Sequence, residues 1–110
     1  MRVKQYIDQR LADPALGPGE VAAAFGISTR YLHRLFEREH ETVAQYIRDR
    51  RLERCRLLLL DPRLSGHTIL MLAYGCGFGD LSGFNRAFRA KYGMTPRQLR
   101  VLSSRPTGVR

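Results

Sequence analysis

The chain is poor in cysteine and in lysine: Cys55 and Cys76 are its only thiols, and Lys4 and Lys91 its only lysines. Two cysteines are too few for a disulfide framework, and they lack the close spacing of a zinc ribbon or finger. Cys55 stands three residues before Leu58 on a helical apolar stripe and reads as a small core residue. His33, His40 and His67 share no ligand spacing with one another or with the cysteines, so neither a metal nor another cofactor is expected. Long apolar runs are also missing. The runs 57–60 and 69–74 fall far short of the roughly 20 residues that cross a bilayer, and the amino terminus has no signal-peptide core. A soluble, cytoplasmic chain without a membrane partner is expected. No stretch shows sustained strand alternation, which excludes a sheet. Acidic residues, finally, stop at Asp80.

What is present is a helical period and an excess of arginine. The 110 residues suit one domain and carry 19 Lys and Arg against 10 Asp and Glu, a formal charge of +9. Arginine favours planar anions such as phosphate and guanine edges. Beyond Asp80, Arg86, Arg89, Lys91, Arg97, Arg100, Arg105 and Arg110 stand unopposed, so a polyanionic partner is indicated.

The periodicity predicts an all-α fold of seven helices. Val3, Tyr6, Ile7 and Leu11 form the first, stopped by Asp13-Pro14, and Pro18 opens a second that carries Val21, Ala22 and Phe25 inward as far as Gly26. Ser28 caps a third helix with Leu32, Leu35 and Phe36 inward and Thr29, Arg30, His33, Arg34 and Glu37 outward. A long fourth helix runs from about Thr42 to Leu60, with Val43, Tyr46, Ile47, Leu52, Cys55, Leu58 and Leu59 inward and Arg48, Arg50, Arg54 and Arg56 mainly outward. Thr68 caps a fifth, Asp80 a sixth that Gly93 stops, and Thr95-Pro96 opens the last, to about Leu102.

The chain repeats itself. Leu32, Arg34 and Phe36 match Phe84, Arg86 and Phe88 at an offset of 52, while Val21, Ala22, Gly26 and Ile27 match Leu72, Ala73, Gly77 and Phe78 at 51. One inserted residue near Gly79 accounts for the difference. Each copy reads as a short helix, a glycine-containing turn and a capped second helix with a polar outer face, which is a helix-turn-helix. Ala22 and Ala73 let the paired helices cross closely, Gly26 and Gly77 allow the turn, and Ile27 and Phe78 plug the angle. The second helix is thereby held out from the body, where it can enter a major groove. Arg34 and Arg86 occupy equivalent outward positions, and arginine paired bidentately with guanine is the commonest specific base contact. Glu37 and Glu39 place acid late on the first such helix, and His40, tolerant of the left-handed conformation, reads as its cap.

The segment Ile69-x-x-Leu72-Ala73-x-x-x-Gly77-Phe78-x-Asp80-x-Ser82-x-Phe84-x-Arg86-x-Phe88, followed by Tyr92-Gly93-x-Thr95-Pro96 and Arg100, resembles the C-terminal signature of the AraC/XylS family of bacterial transcription regulators. The resemblance extends back through Arg51-Leu52 and Tyr46-Ile47 to about Val3. It implies a homeodomain-like tandem: a first helix-turn-helix subdomain over 1–41, a linker helix over 42–60, a second subdomain over 61–102 and a disordered tail over 103–110. It further implies sequence-specific binding of double-stranded DNA at an operator or promoter, as an activator that contacts RNA polymerase, with any effector ligand acting through a domain this chain lacks. Base reading is expected from Arg30, His33 and Arg34 and from Leu81, Ser82, Asn85 and Arg86, the leucine offering only an apolar contact such as a thymine methyl. Phosphate contacts are expected at Ser28, Thr29, Thr68, Arg89 and Arg97. At Gly83 relatives often carry a larger side chain.

Two other readings compete. Gly75-x-Gly77-x-Gly79 before a helix resembles a nucleotide-binding loop, but no strand precedes it and no Lys-Ser/Thr pair follows, so no enzyme is expected. A sequence-tolerant basic nucleic-acid-binding protein would explain the charge but not the repeat. Because tandem motifs supply two groove contacts in one chain, and no exposed apolar stripe is expected to remain after packing, a monomer is predicted.

Overall fold

A computed structural model describes residues 2–103 and places them in seven α-helices, with no strand among the described residues. They are α1 (Arg2–Gln9), α2 (Pro18–Ala24), α3 (Thr29–Glu37), α4 (Val43–Leu60), α5 (Ile69–Gly75), α6 (Leu81–Tyr92) and α7 (Pro96–Ser103). A single 3-10 turn, Pro62–Leu64, follows α4 and was not expected. Asp61 caps it through Arg63 N–H at 2.9 Å, which uses the proline that stops α4 as the first residue of a tighter turn. The tail expected over 103–110 lies outside the described residues except at Ser103, which closes α7 by donating its hydroxyl to Arg100 C=O at 2.9 Å.

Side chains fix most helix starts. Ser28 accepts from Tyr31 N–H at 3.0 Å, Thr68 from Met71 N–H at 3.1 Å and Asp80 from Gly83 N–H at 2.6 Å. Thr42 and Gln45 exchange bonds reciprocally at 3.0 Å, and Thr95 and Gln98 do the same at 2.8 and 3.1 Å, so α4 and α7 both open on a capping box. The first helix is shorter than its apolar spacing suggests. It ends at Gln9, the chain turns, and Leu11 reaches the core from that turn.

By its contacts the chain divides into two compact units, the first ending at Arg51 and the second beginning at Leu52. In the first, Val3, Ile7, Leu32, Phe36, Val43 and Ile47 form the centre of a core also lined by Leu11, Leu16, Val21 and Ala22. In the second, Leu52, Cys55, Leu59, Leu72, Ala73, Cys76, Phe84 and Phe88 do so. The single inward stripe expected along α4 is therefore two stripes. Val43 and Ile47 serve the first core, and Leu52, Cys55 and Leu59 the second. Arg56, expected outward, is half-buried against Glu53 at 2.6 Å. Cys55 and Cys76 are buried thiols with no disulfide between them; the hydrogen bond from one to the other and burial push the Cys55 thiol above its ordinary range.

Each unit also closes its leading loop with a guanidinium. Arg51 donates to the carbonyls of Leu11 at 2.9 Å and Asp13 at 2.7 Å, and Arg100 to those of His67 at 2.6 Å and Leu64 at 2.9 Å. Asp13 C=O also accepts from Leu16 N–H at 3.1 Å and Leu64 C=O from His67 N–H at 2.9 Å, so each arginine adds charge-assisted bonds to carbonyls of the turns and ties the loop to its own helix. The surface departs from expectation in one respect. Among the described residues, the exposed large hydrophobic of the first unit is Tyr31, while Leu57, Leu60, Leu70, Met71, Tyr74, Leu81, Val101 and Leu102 all belong to the second. Apolar surface does remain after packing, because α5 and α7 carry more apolar residues than their single buried faces take up. Among the described residues no helix is long and apolar enough to cross a membrane.

Candidate nucleic-acid interface

The two glycine turns are built alike. Gly26 at φ 64° and Gly77 at φ 97° adopt the positive dihedrals that side chains resist. In the first copy Ile27 N–H bonds to Ala22 C=O and Gly26 N–H to Ala23 C=O; in the second Phe78 N–H bonds to Ala73 C=O and Gly77 N–H to Tyr74 C=O. Both are Schellman closures, the outer bond reaching back five residues and the inner one three. Ala22 and Ala73 are buried at the helix crossing. Ile27 packs on the first core and Phe78 on the second, its ring 4.8 Å from that of Phe84. The Gly75-x-Gly77-x-Gly79 stretch is thus the end of α5 and the turn to α6.

Leu32 and Phe36 pin α3 to its core from one side, leaving Arg30, His33 and Arg34 exposed on the other. Ser28 and Thr29 are exposed at the same helix's start, and Ser28, whose oxygen accepts the cap bond, keeps its hydroxyl proton to donate. Phe84 and Phe88 pin α6 in the same way. There Ser82, Arg86 and Arg89 are exposed, Leu81 is 36% exposed and Asn85 is half-buried. Arg86 Nη1 donates to Ser82 Oγ at 3.0 Å. Thr68 and Arg97 are exposed but stand elsewhere, Thr68 at the start of α5 and Arg97 on α7. Each unit therefore gathers one polar helix face, on α3 in the first and on α6 in the second.

Charge is arranged differently on the two faces. Glu39, an acid expected to oppose DNA, is taken up with Glu41 by Lys4 of α1, the latter at 2.9 Å. Those pairs raise the Lys4 ammonium above its ordinary value, the Glu39 hydrogen bond contributing most. The last turn of α6 carries Arg89 and Lys91 and no acid.

One residue was missed. Tyr31, 50% exposed, lies on α3 at the position equivalent to Gly83 of α6. Its signal was available: in the repeat alignment an aromatic faces a glycine where neither is needed for the core. Gly83 has a local reason, since a Cβ there would sit 3.2 Å from both carboxylate oxygens of the Asp80 cap.

Residues 21–101 match the family described as a helix-turn-helix domain. The transcriptional activator RhrA of Rhizobium meliloti is similar at 37% identity over 102 residues, covering 93% of this chain and 32% of that protein. Among solved structures, the C-terminal domain of AraT, a response regulator from Geobacillus stearothermophilus, is similar with a TM-score of 0.86 and 25% identity, covering 99% of this chain and 88% of that one. A transcriptional regulator from Chromobacterium violaceum, described as of the AraC-type DNA-binding domain-containing proteins, is similar with a TM-score of 0.82 and 27% identity over 94% of this chain and 90% of its own. The chain spans about a third of the length of the curated relatives it matches.

Proposed function

The chain belongs to the AraC-type helix-turn-helix family, and from that premise we propose that it is the sequence-specific DNA-binding part of a bacterial transcription activator. The observation that carries this reading is the pair of like-built helices, α3 and α6, each exposing an arginine at the same position of its motif. In this reading each helix enters one of two successive major-groove segments, which recur at about 34 Å on one face of B-DNA. Arg34 and Arg86 pair with guanine, Asn85 suits adenine, and Leu81 meets a thymine methyl. Arg30 and His33 complete the base-facing set on α3, and Ser82 stands beside Arg86 on that of α6. Ser28, Thr29, Thr68, Arg89 and Arg97 hold phosphates, the hydroxyls by donation and the arginines by charge. Action on transcription passes through contact with RNA polymerase in the cytoplasm.

Selection of bound duplexes from random DNA tests this, followed by Arg34→Ala and Arg86→Ala on the preferred site. Each variant should lose about 1 to 3 kcal/mol and relax preference within one groove segment. Salt titration separates the rival reading: a sequence-tolerant basic protein binds preferred and random DNA alike at every salt concentration, whereas a reader keeps a gap between them. Equal losses on specific and random DNA would reassign the arginines to phosphate.

A further inference from the structure

We infer that Ser82 is a positioning residue for Arg86: its hydroxyl oxygen accepts from the guanidinium and holds it on the outer face of α6, so that Ser82 acts on sequence preference through Arg86 and not by its own base contact. This rests on the reading above, in which Arg86 meets a base. The two residues stand four apart, one turn of helix, and Arg86 Nη1 reaches Ser82 Oγ at 3.0 Å while both remain exposed.

A free arginine side chain carries about 2 kcal/mol of rotamer entropy, part of which is lost whenever it docks on a base. Fixing it before DNA arrives removes part of that loss from binding. Guanidinium has five N–H donors, and the contact to Ser82 uses one of those on Nη1. Both hydrogens needed on the Nε–Nη2 edge stay free for the O6 and N7 acceptors of a guanine. The tether therefore costs no reading capacity and selects which edge faces the groove. Nothing crowds it, because the neighbouring position is Gly83, where α3 has Tyr31. The first motif lacks this device. Arg30 occupies the place of Ser82, one turn before Arg34, and a guanidinium offers no acceptor to another. At these two positions one helix thus presents two arginines and the other a single oriented one.

The test is a double-mutant cycle on the whole chain, measuring affinity for the selected duplex and for duplexes altered at the base pair whose preference Arg86→Ala abolishes. Ser82→Ala should reduce affinity for the selected duplex about three- to tenfold, the range of immobilising one rotamer-rich side chain on binding. It should narrow discrimination at that one base pair and leave thermal unfolding unchanged. Ser82→Thr, which keeps the hydroxyl, should restore both affinity and discrimination. In the Arg86→Ala background Ser82→Ala should change nothing beyond experimental error. An equal loss in both backgrounds would overturn the proposal and give Ser82 a contact of its own. If Arg86→Ala abolished preference at no base pair, the reading of Arg86 as a base contact would fail first, and the proposal with it.

Discussion

His40 and Gly93 turn the chain after the two exposed helices in the same left-handed conformation, at φ 59° and φ 74°. The closures differ in detail. Around His40 the bonds are Glu41 N–H to Phe36 C=O and His40 N–H to Glu37 C=O, a Schellman pair, whereas Gly93 N–H makes a single bond to Arg89 C=O. A side chain in this region costs about 1 to 2 kcal/mol, partly offset against glycine by the greater freedom glycine has when unfolded. His40→Gly should therefore stabilise the chain by about 0.5 to 1 kcal/mol, and a β-branched residue such as Val should destabilise it. Urea denaturation of the three proteins checks this. A destabilised His40→Gly would mean that the imidazole makes contacts worth more than the strain it bears.

The phase of α4 supports a second prediction. Leu59 is buried and Leu57 is 55% exposed, two residues apart on one helix. Leu59→Ala should cost about 2 to 5 kcal/mol because a cavity remains, and Leu57→Ala less than about 0.5 kcal/mol. Comparable losses at both positions would show that Leu57 is also enclosed.

These residues show what was legible beforehand. Ser28, Thr68 and Asp80 announce helix starts because a cap is a bond between residues three apart, and the glycine turns are legible because only positive φ calls for glycine there. The end of α1 was not legible: Leu11 follows Ile7 by four and mimics another helical turn, although tertiary burial places it. The two stripes of α4 look like one in the sequence for a similar reason, since which core each half serves depends on residues far away in sequence. On the recognition faces, Arg34 and Arg86 stand out by their equivalence. The Ser82–Arg86 bond required a rotamer, and Tyr31 joins no apolar or charged pattern and shows only in the repeat alignment, opposite Gly83.

The carboxylate Glu53 predicts an acid-sensitive second unit. Arg56 donates to it at 2.6 and 3.0 Å and the Tyr92 hydroxyl at 2.9 Å. The Arg56 bonds most of all, with Tyr92 adding to them against partial burial, hold its carboxyl at about 2, below the ordinary 4.5. Because the folded value is the lower one, the charged form stabilises the fold above the ordinary value, and that contribution fades as pH falls toward 2. Tyr46 gives the opposite limb: burial first, then its bond to Asp8 at 3.0 Å, push the phenol up to about 12, so its contribution holds below pH 10 and is lost on the way to 12. Glu53→Gln should flatten the acid limb of stability against pH and Tyr46→Phe the alkaline one. Unchanged limbs in the two variants would show that other groups govern them.

Joining both motifs in one chain bears on stoichiometry. Single helix-turn-helix proteins obtain two groove contacts by pairing copies, which imposes a palindromic site. Here α3 and α6 differ in their outward residues, Arg30, Tyr31, His33 and Arg34 against Ser82, Gly83, Asn85 and Arg86, so the two halves of the DNA site should differ as well. One chain per asymmetric site is expected, with protection in two groove segments about one turn apart. Once one helix has docked, the other meets DNA at the effective concentration set by the tether. Disabling either face, by Arg34→Ala with Arg30→Ala or by Arg86→Ala with Asn85→Ala, should then weaken binding by far more than half and shrink the footprint to one segment. Sedimentation of the complex beside hydroxyl-radical footprinting decides the matter. Two chains on a palindromic minimal site would instead implicate the apolar residues exposed on the second unit, Val101 and Leu102 of α7 among them, in pairing two copies.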